Sequence, residues 1–327
     1  MNKEIKFEHV GGGIYVIESY YLNRTGFTAC YLMEDQGEAA IIETNTNHAV
    51  PFILGTLGQL GLSKDQVKYV ILTHIHLDHA GGAGELMKHL PKAELILHPR
   101  ARKHMIDPEK LIKSVKAVYG EAKYKELYGD IVPVPKERVQ IANDGDEFRL
   151  GSRHLQVFDL QGHAKHHLVV LDKNTRALFS GDNFGIGYPR FDFGKSRLVF
   201  PSTSPTQFEP GKAVETYQKI VDLDPSRILL THYGVLEDIK GTHTRLNSWI
   251  EFSVEIAGKG YAQGYRDKEL TDILEKEIWK YFEKIVKDAR GTGLNLEEKE
   301  WLAIDAEINA QGLVHYIQPR NPEADRQ

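Results

Sequence analysis

Six residues constrain this chain more than any others. In Thr73-His74-Ile75-His76-Leu77-Asp78-His79-Ala80-Gly81-Gly82, three imidazoles and a carboxylate follow directly on the apolar run Tyr69-Val70-Ile71-Leu72. Side chains alternate along extended backbone, so His74 and His76 face one side and can share a metal ion. The turn that follows swings Asp78 and His79 elsewhere, and that spacing suggests two metals rather than one. Gly81 and Gly82 permit a close approach of backbone to the site.

Three further apolar runs end in candidate ligands. Leu155 to Leu160 leads into Gln161-Gly162-His163, Ala177 to Phe179 into Ser180-Gly181-Asp182, and Arg227 to Leu230 into Thr231-His232-Tyr233-Gly234. A ligand at a strand end is held by rigid scaffold, and an adjacent glycine lets the chain turn away sharply.

The 327 residues can hold one large two-layered core with an appendage, or two domains. A net charge of -5 and a pI near 6.3 give no basic bias towards nucleic acid or anionic membrane. The start, Met1-Asn2-Lys3-Glu4-Ile5-Lys6, has no apolar core of a signal peptide, and no later segment approaches the roughly 20 apolar residues of a membrane span. The expectation is a cytoplasmic protein acting on a small molecule, with neither nucleic acid nor membrane as partner. Cys30 is the single cysteine, which excludes an intrachain disulfide and a thiolate cluster, and its neighbours make it a small buried apolar residue.

Residues 13–17, 29–33 and 39–43 read as a strand meander, and His48 to Leu62 as a helix leading into the strand before the motif, which makes a βαβ unit. A helix from Gly84 stops at Pro91, and a strand covers 95–97. The basic stretch from Arg100 to Asp130 is helical, with Leu111, Val115, Val118 and Ala122 on one stripe and Tyr119, Tyr124 and Tyr128 nearby. It is either a lid that helps set substrate choice or an outer helical layer. Strands return from Val139, with a hairpin about Asn174 between 168–171 and 177–179.

After Asp238 strands disappear. One helical stripe runs through Leu246, Trp249-Ile250, Ser253 and Ile256-Ala257, and a second through Leu270, Ile273-Leu274, Ile278, Phe282 and Ile285-Val286. A third helix starts at Asn295 with Glu298 in a capping box, and carries Trp301, Ile304 and Ile308 on one face. The chain therefore divides into a metal-binding domain, 1–238, and a helical cap, 239–327, that covers apolar surface or builds a homodimer. The tail from Pro319 to Gln327 is polar.

The ordered set His74-x-His76-x-Asp78-His79, His163, Asp182 and His232 resembles the metallo-β-lactamase superfamily, over residues from about 10 to 238. The resemblance implies a four-layered αββα sandwich, here with a carboxy-terminal helical extension. It also implies that His74, His76 and His163 hold one metal, that Asp78, His79 and His232 hold the other, and that Asp182 bridges them. Two zinc ions about 3.5–4 Å apart would share a hydroxide active at neutral pH, making hydrolysis the default reaction, with Asp78 placed to move a proton to the leaving group. Histidine at position 76 favours zinc, although the same ligands accept iron or manganese.

This chain departs from the family pattern after the third histidine, where Gly162-His163-Ala164-Lys165-His166-His167 places His166 at a position commonly held by glycine. His167 matches a histidine that supports the site, whereas His166 reads as a surface residue whose removal is mild, with a direct role in the site as the alternative. Downstream, Asn183 to Phe193 is rich in aromatic residues. Its phenylalanines either line a pocket or anchor the loop, and Tyr188 is a candidate hydrogen-bond donor to a carbonyl or oxyanion. Lys195 and Arg197 are candidates for a substrate carboxylate. His98, His104, His154 and His243 read as structural or exposed.

The function expected is a dinuclear zinc hydrolase of a carbonyl ester, with lactone or thioester favoured over β-lactam. Two other functions share these ligands: an iron-dependent oxygen- or sulfur-chemistry enzyme, and a metal-containing regulatory protein that signals through its helices.

Overall fold

The computed structural model describes residues 3–194, 196–205 and 207–318, without the side chains of 114, 117–119 and 196. Two compact units divide the chain. The first combines Met1–Leu160, His166–Gly181 and Asp224–Glu237, and the second Gln161–Lys165, Asp182–Leu223 and Asp238–Gln327. The polar tail, Lys195, and the side chains of Val118 and Tyr119 lie outside the described residues.

The first unit is built on two sheets. Strands β1 (Phe7–His9), β2 (Ile14–Glu18), β3 (Ala29–Asp35) and β4 (Glu38–Ile42) form the expected meander, and β5 (Val67–Ile71), β6 (Glu94–Leu97) and β7 (Val139–Ile141) extend it. Pairing is antiparallel up to β4 and parallel from β4 to β7. The parallel step from β4 to β5 is made by helix α1 (Val50–Gln59), so the βαβ unit read from the sequence is present. The second sheet places β8 (Glu147–Leu150), β9 (Arg153–Asp159), β10 (Leu168–Asp172) and β11 (Ala177–Gly181) beside strands Arg227–Leu230 and Gly234–Leu236.

Alternation along the strands decides which residues fill which layer. Ile14, Val16, Tyr31, Met33, Ile42 and Ile71 of the first sheet form one buried cluster with Leu155, Val157, Val170, Phe179 and Leu229 of the second. The intervening residues Ile17, Cys30, Leu32, Ile41 and Val70 point to the other face of the first sheet. There they pack with α1 and the helices that follow β5, α2 (Leu77–Ala80) and α3 (Ala83–His89). Cys30 is fully buried in that layer. The basic stretch forms α4 (Arg102–Ile106), α5 (Glu109–Tyr119) and α6 (Glu121–Tyr128). Tyr124, Tyr128 and Ile131 bury against Leu77, inside the His-rich motif, with Leu111, Ile112 and Val115 beside them. These helices cover the motif's own helix, as a lid or an outer helical layer would.

In the second unit, the two-residue strands β12 (Asp192–Phe193) and β13 (Ser196–Arg197) precede helix α7 (Pro210–Asp222). The strands beyond it, Arg227–Leu230 and Gly234–Leu236 of the first unit, are β14 and β15. The unit ends in three long helices, α8 (Ile239–Ala262), α9 (Asp267–Arg290) and α10 (Leu296–Ile317). The Asn295–Glu298 capping box forms as expected, with the Asn295 side chain accepting from Glu298 N at 2.9 Å. The stripes of α8 and α9 bury Leu246, Trp249 and Ile250, and Leu270, Leu274, Ile278 and Phe282.

The buried face of α10 is not the expected one. Leu302, Asp305, Ala306, Asn309 and Leu313 are buried while Ile304 is 36% exposed. Two polar residues occupy that face because each has a buried partner: Asp305 accepts from the Tyr188 hydroxyl, and Asn309 Oδ1 accepts from Thr203 N at 2.9 Å. These helices share a unit with residues 182–223, a stretch the sequence analysis placed in the metal-binding domain. The packing of Phe200 on Phe282, with ring centroids 4.8 Å apart, belongs to that grouping.

Candidate metal centre

Strand ends supply the candidate ligands of the first unit. After β5, backbone contacts hold the motif: Leu72 N donates to Ile96 O at 3.0 Å, and Thr73 O accepts from Leu168 N at 2.7 Å. His74 and His76 then lie side by side, with Nε2 of the first 2.9 Å from Nδ1 of the second. One helical turn on, Asp78 Oδ2 stands 3.8 Å from His79 Nε2 and 3.3 Å from His232 Nε2. Donor atoms bound to one tetrahedral zinc at about 2.0–2.2 Å stand roughly 3.3–3.6 Å apart. The Asp78, His79 and His232 donors, all within 4.8 Å of one another, therefore fit a single divalent ion with little adjustment.

Hydrogen bonds set which ring nitrogens are available. The Thr73 hydroxyl donates to Glu43 Oε1, so its oxygen accepts from His74 Nδ1 at 3.1 Å, which leaves the lone pair of His74 on Nε2. His79 Nδ1 lies on the side of the same Glu43 oxygen, 3.4 Å away, and its Nε2 on the side of Asp78, 3.8 Å from Oδ2. Glu43 is fully buried, and the sequence analysis did not single it out. It follows the apolar strand β4 just as His163, Asp182 and His232 follow theirs, so the strand-end rule applied there would have found it.

Glu43 begins a cradle for the motif. Thr44 N and Oγ1 both donate to His79 O, at 2.8 and 3.0 Å, and Asn45 Nδ2 donates to Asp78 O at 2.8 Å. Gly82 N donates to Asn45 O at 2.7 Å, and a Cβ on Gly82 would meet Thr46 O at 2.7 Å and Thr44 O at 2.8 Å. Glu43 and Asn45 adopt left-handed backbone, φ 65° and 50°, although neither is glycine. Such strain costs of order 1–3 kcal/mol per residue and persists where the surroundings over-determine it.

His167 and His166 flank the pair. The His167 ring stacks on His74 with centroids 4.7 Å apart, the supporting place expected of it. A Cβ on Gly181, at φ 52°, would come within 2.5 Å of Thr73 Oγ1 and 2.6 Å of His167 Nε2, so only glycine fits this strand end. His166 is corrected by the structure: it is buried, 6.2 Å from the His74 ring and 5.7 Å from the His76 ring, and is not a surface residue.

The remaining two candidates belong to the second unit and meet there. His163 Nε2 lies 3.5 Å from Asp182 Oδ2. His163 Nδ1 is 2.9 Å from Ser202 O, an acceptor only, so Nδ1 carries the proton and Nε2 presents its lone pair. Of the seven ligands expected, the first unit thus brings together His74, His76, Asp78, His79 and His232, and the second pairs His163 with Asp182.

Tyr188 takes a different role from the one expected. It is fully buried in the second unit, its hydroxyl 3.0 and 3.1 Å from the Asp305 carboxylate oxygens, and its ring packs on Trp301 and Phe200. Phe184 and Phe191 are also buried, which anchors the aromatic loop. Arg197 pairs with Asp192, its Nη2 at 3.0 Å from Oδ2. Among the other histidines, buried His98 contacts Asp159 at 3.3 Å, and burial holds it below the usual imidazole range.

The sequence signature of the metallo-beta-lactamase superfamily matches residues 23–233, well over half of the chain. The chain belongs to this superfamily. Among its relatives, the metallo-beta-lactamase fold-containing protein ST1585 of Sulfurisphaera tokodaii is 27% identical over 176 residues, 53% of this chain and 62% of that protein. The human acyl-coenzyme A thioesterase MBLAC2 is 25% identical over 193 residues, 53% of this chain and 64% of that protein. The matched stretch thus spans less than two thirds of either relative.

Solved superfamily structures match further. The crystal structure of ST1585 covers 92% of this chain and 98% of its own, with a TM-score of 0.64 at 20% identity. That of the metallo-beta-lactamase family protein TTHA1429 from Thermus thermophilus covers 93% of each chain, with the same TM-score of 0.64 at 18% identity. These likenesses show the αββα metallo-β-lactamase fold with its carboxy-terminal helices. The superfamily consists mostly of hydrolytic metalloenzymes that bind divalent ions, and this chain has the donor groups for them. No helix among the described residues is long and apolar enough to cross a membrane.

Proposed function

We propose that the chain is a metal-dependent hydrolase of carbonyl esters, with thioesters and lactones as its substrate class. The observation that carries this reading is the Asp78, His79 and His232 donor set, oriented from behind by Glu43. In this reading two zinc ions would be held by His74, His76, His163, Asp78, His79 and His232, with Asp182 as a seventh ligand. When bound, such ions acidify water towards neutral pH and polarise an acyl oxygen.

The protein's own residues supply the rest. Glu43 and Thr73 keep the ligand imidazoles in the tautomer that presents a lone pair. Asp78 is the member of its group open to solvent, its side chain 26% exposed against 0% for His79 and 6% for His232. It is therefore the group a substrate meets, and we assign it the transfer of a proton to the departing alcohol or thiol. The similarity to the human thioesterase supports the acyl class and, within it, the thioester.

The test is a panel of lactone, thioester, phosphodiester and β-lactam substrates, assayed before and after chelation. The reading predicts acyl hydrolysis that chelation removes and zinc restores. Hydrolysis confined to phosphodiesters, or activity unmoved by chelation, would contradict it. Iron in the purified protein together with oxygen consumption would replace it with the oxygen-chemistry reading.

A further inference from the structure

Asp78 and His79 share one helical turn, whereas the third member of their donor set, His232, comes from the last stretch of sequence in the first unit. It sits in the short turn 231–233 that joins β14 to β15. A turn this short is held by what packs on it. Its surroundings therefore decide whether His232 Nε2 stays 3.3 Å from Asp78 Oδ2.

A segment far earlier in the chain, from Glu18 to Tyr31, packs on that turn. Ala29 N donates to Thr231 O at 2.8 Å, and the Tyr31 hydroxyl donates to Leu230 O just before the turn. The Phe27 ring meets the His232 ring edge-on, with centroids 6.1 Å apart. The hydroxyl of Tyr233, the residue after the ligand, hydrogen-bonds the Glu18 carboxylate.

Glu18 is also where this segment is tied to itself. It ends β2, is buried, and accepts from Tyr20 N at 2.9 Å through one oxygen and from Gly26 N at 2.7 Å through the other. Between those bonds, Tyr20, Leu22 and Asn23 adopt left-handed backbone at φ 55°, 53° and 58°. Such conformations persist where the surroundings over-determine them, and the Glu18 bonds close the loop that contains them.

The same loop reaches Asp78 by a second route. Ser19 Oγ lies 2.6 Å from Thr28 Oγ1, which accepts from Asn45 Nδ2 at 2.8 Å, and that Nδ2 donates to Asp78 O at 2.8 Å. One loop thus bears on both members of the Asp78–His232 pair, on His232 through Phe27 and Tyr233 and on Asp78 through Thr28 and Asn45.

We propose that Glu18 is a positioning residue for the metal group: by closing the 19–28 loop and holding Tyr233, it fixes the separation of His232 from Asp78 and thereby the affinity for the ion these two share with His79. The inference rests on the metal-binding part of the hydrolase reading and not on which ester is cleaved. A staple with no such role would contribute to stability and leave metal binding alone.

The test compares the full-length chain with Glu18→Gln and Tyr233→Phe. Glutamine keeps the shape of Glu18 but turns one of its two acceptors into a donor, and phenylalanine removes only the hydroxyl. Stepwise zinc affinities are read by chelator competition, the coordination environment by visible absorption after cobalt substitution, and stability by urea denaturation. Each variant is expected to loosen one zinc equivalent about tenfold, to shift the cobalt bands of that equivalent, and to leave the other within about twofold. The double variant should bind no more weakly than the weaker single one, because the two changes remove the same contact. Should Glu18→Gln fail to fold, Tyr233→Phe decides alone. Variants that lose stability while both equivalents bind as in the wild type overturn the proposal, and so does an equal loosening of both. If zinc binding shows the expected dependence while every acyl ester is inert, the hydrolase reading fails and the positioning role stands. If chelation-sensitive hydrolysis is found while the variants keep both equivalents, the positioning role fails alone.

Discussion

Glu43 shows how one buried carboxylate can govern a site it need not ligate. Its Oε1 receives the Thr73 hydroxyl and faces His79 Nδ1, so it reaches His74 through Thr73 and His79 directly. Glu43→Gln keeps the shape and removes the charge. Metal affinity measured by chelator competition should fall roughly 10–100-fold. Unchanged affinity would show that the tautomers are set elsewhere. Tyr188 tests the opposite case, a residue whose chemistry looks catalytic but whose surroundings are structural. Tyr188→Phe should lower unfolding free energy by about 1–3 kcal/mol in urea denaturation, because buried Asp305 loses a donor, and should leave kcat unchanged. A loss of kcat at constant stability would restore Tyr188 to the site. Residue types and spacing were enough to name the motif ligands, because imidazoles two apart on extended backbone have few other uses. They did not separate a buried Tyr–Asp pair from an oxyanion donor, since the partner lies more than a hundred residues away.

At the scale of elements, the meander, the βαβ unit and the three long helices were legible because their apolar periods are strong. The buried face of α10 was not, because Asp305 and Asn309 disguise it as polar. Helix α7 was also unread, since its buried positions include Pro210 and Thr216 and leave a broken apolar stripe. The junction of α9 and α10 carries a pH-dependent contact. The Arg290 guanidinium, at 2.6 Å from each Glu298 oxygen, holds that carboxyl below its ordinary value of 4.5. The unfolded carboxyl therefore takes up its proton at a higher pH than the folded one. The stability this pair contributes is present above the ordinary value and is lost as pH falls through the lower, folded one. Comparing the wild-type chain with Glu298→Gln in urea at descending pH should show a difference at neutrality that shrinks on acidification. A difference independent of pH would assign the contact to shape rather than charge.

For the whole molecule, the grouping of residues 182–223 with α8–α10 changes what the carboxy-terminal helices are for. Phe200 packs on Phe282, Tyr188 on Trp301 and Thr203 on Asn309, so these helices complete the core around the segment that carries Asp182. A chain ending at Asp238 keeps every candidate ligand but strips that segment of its partners. It should aggregate or unfold at lower temperature, as judged by size-exclusion chromatography and thermal melting. A soluble monomer with an unchanged midpoint would show the helices to be a separate module. The central claim is that seven residues, four from the His-rich motif and three from later strand ends, hold a pair of divalent ions. Elemental analysis of the full-length protein, purified without added metal and then reconstituted, measures that directly. Close to two equivalents of zinc per chain is the predicted result. One equivalent or none, with reconstitution failing to raise it, would contradict the claim.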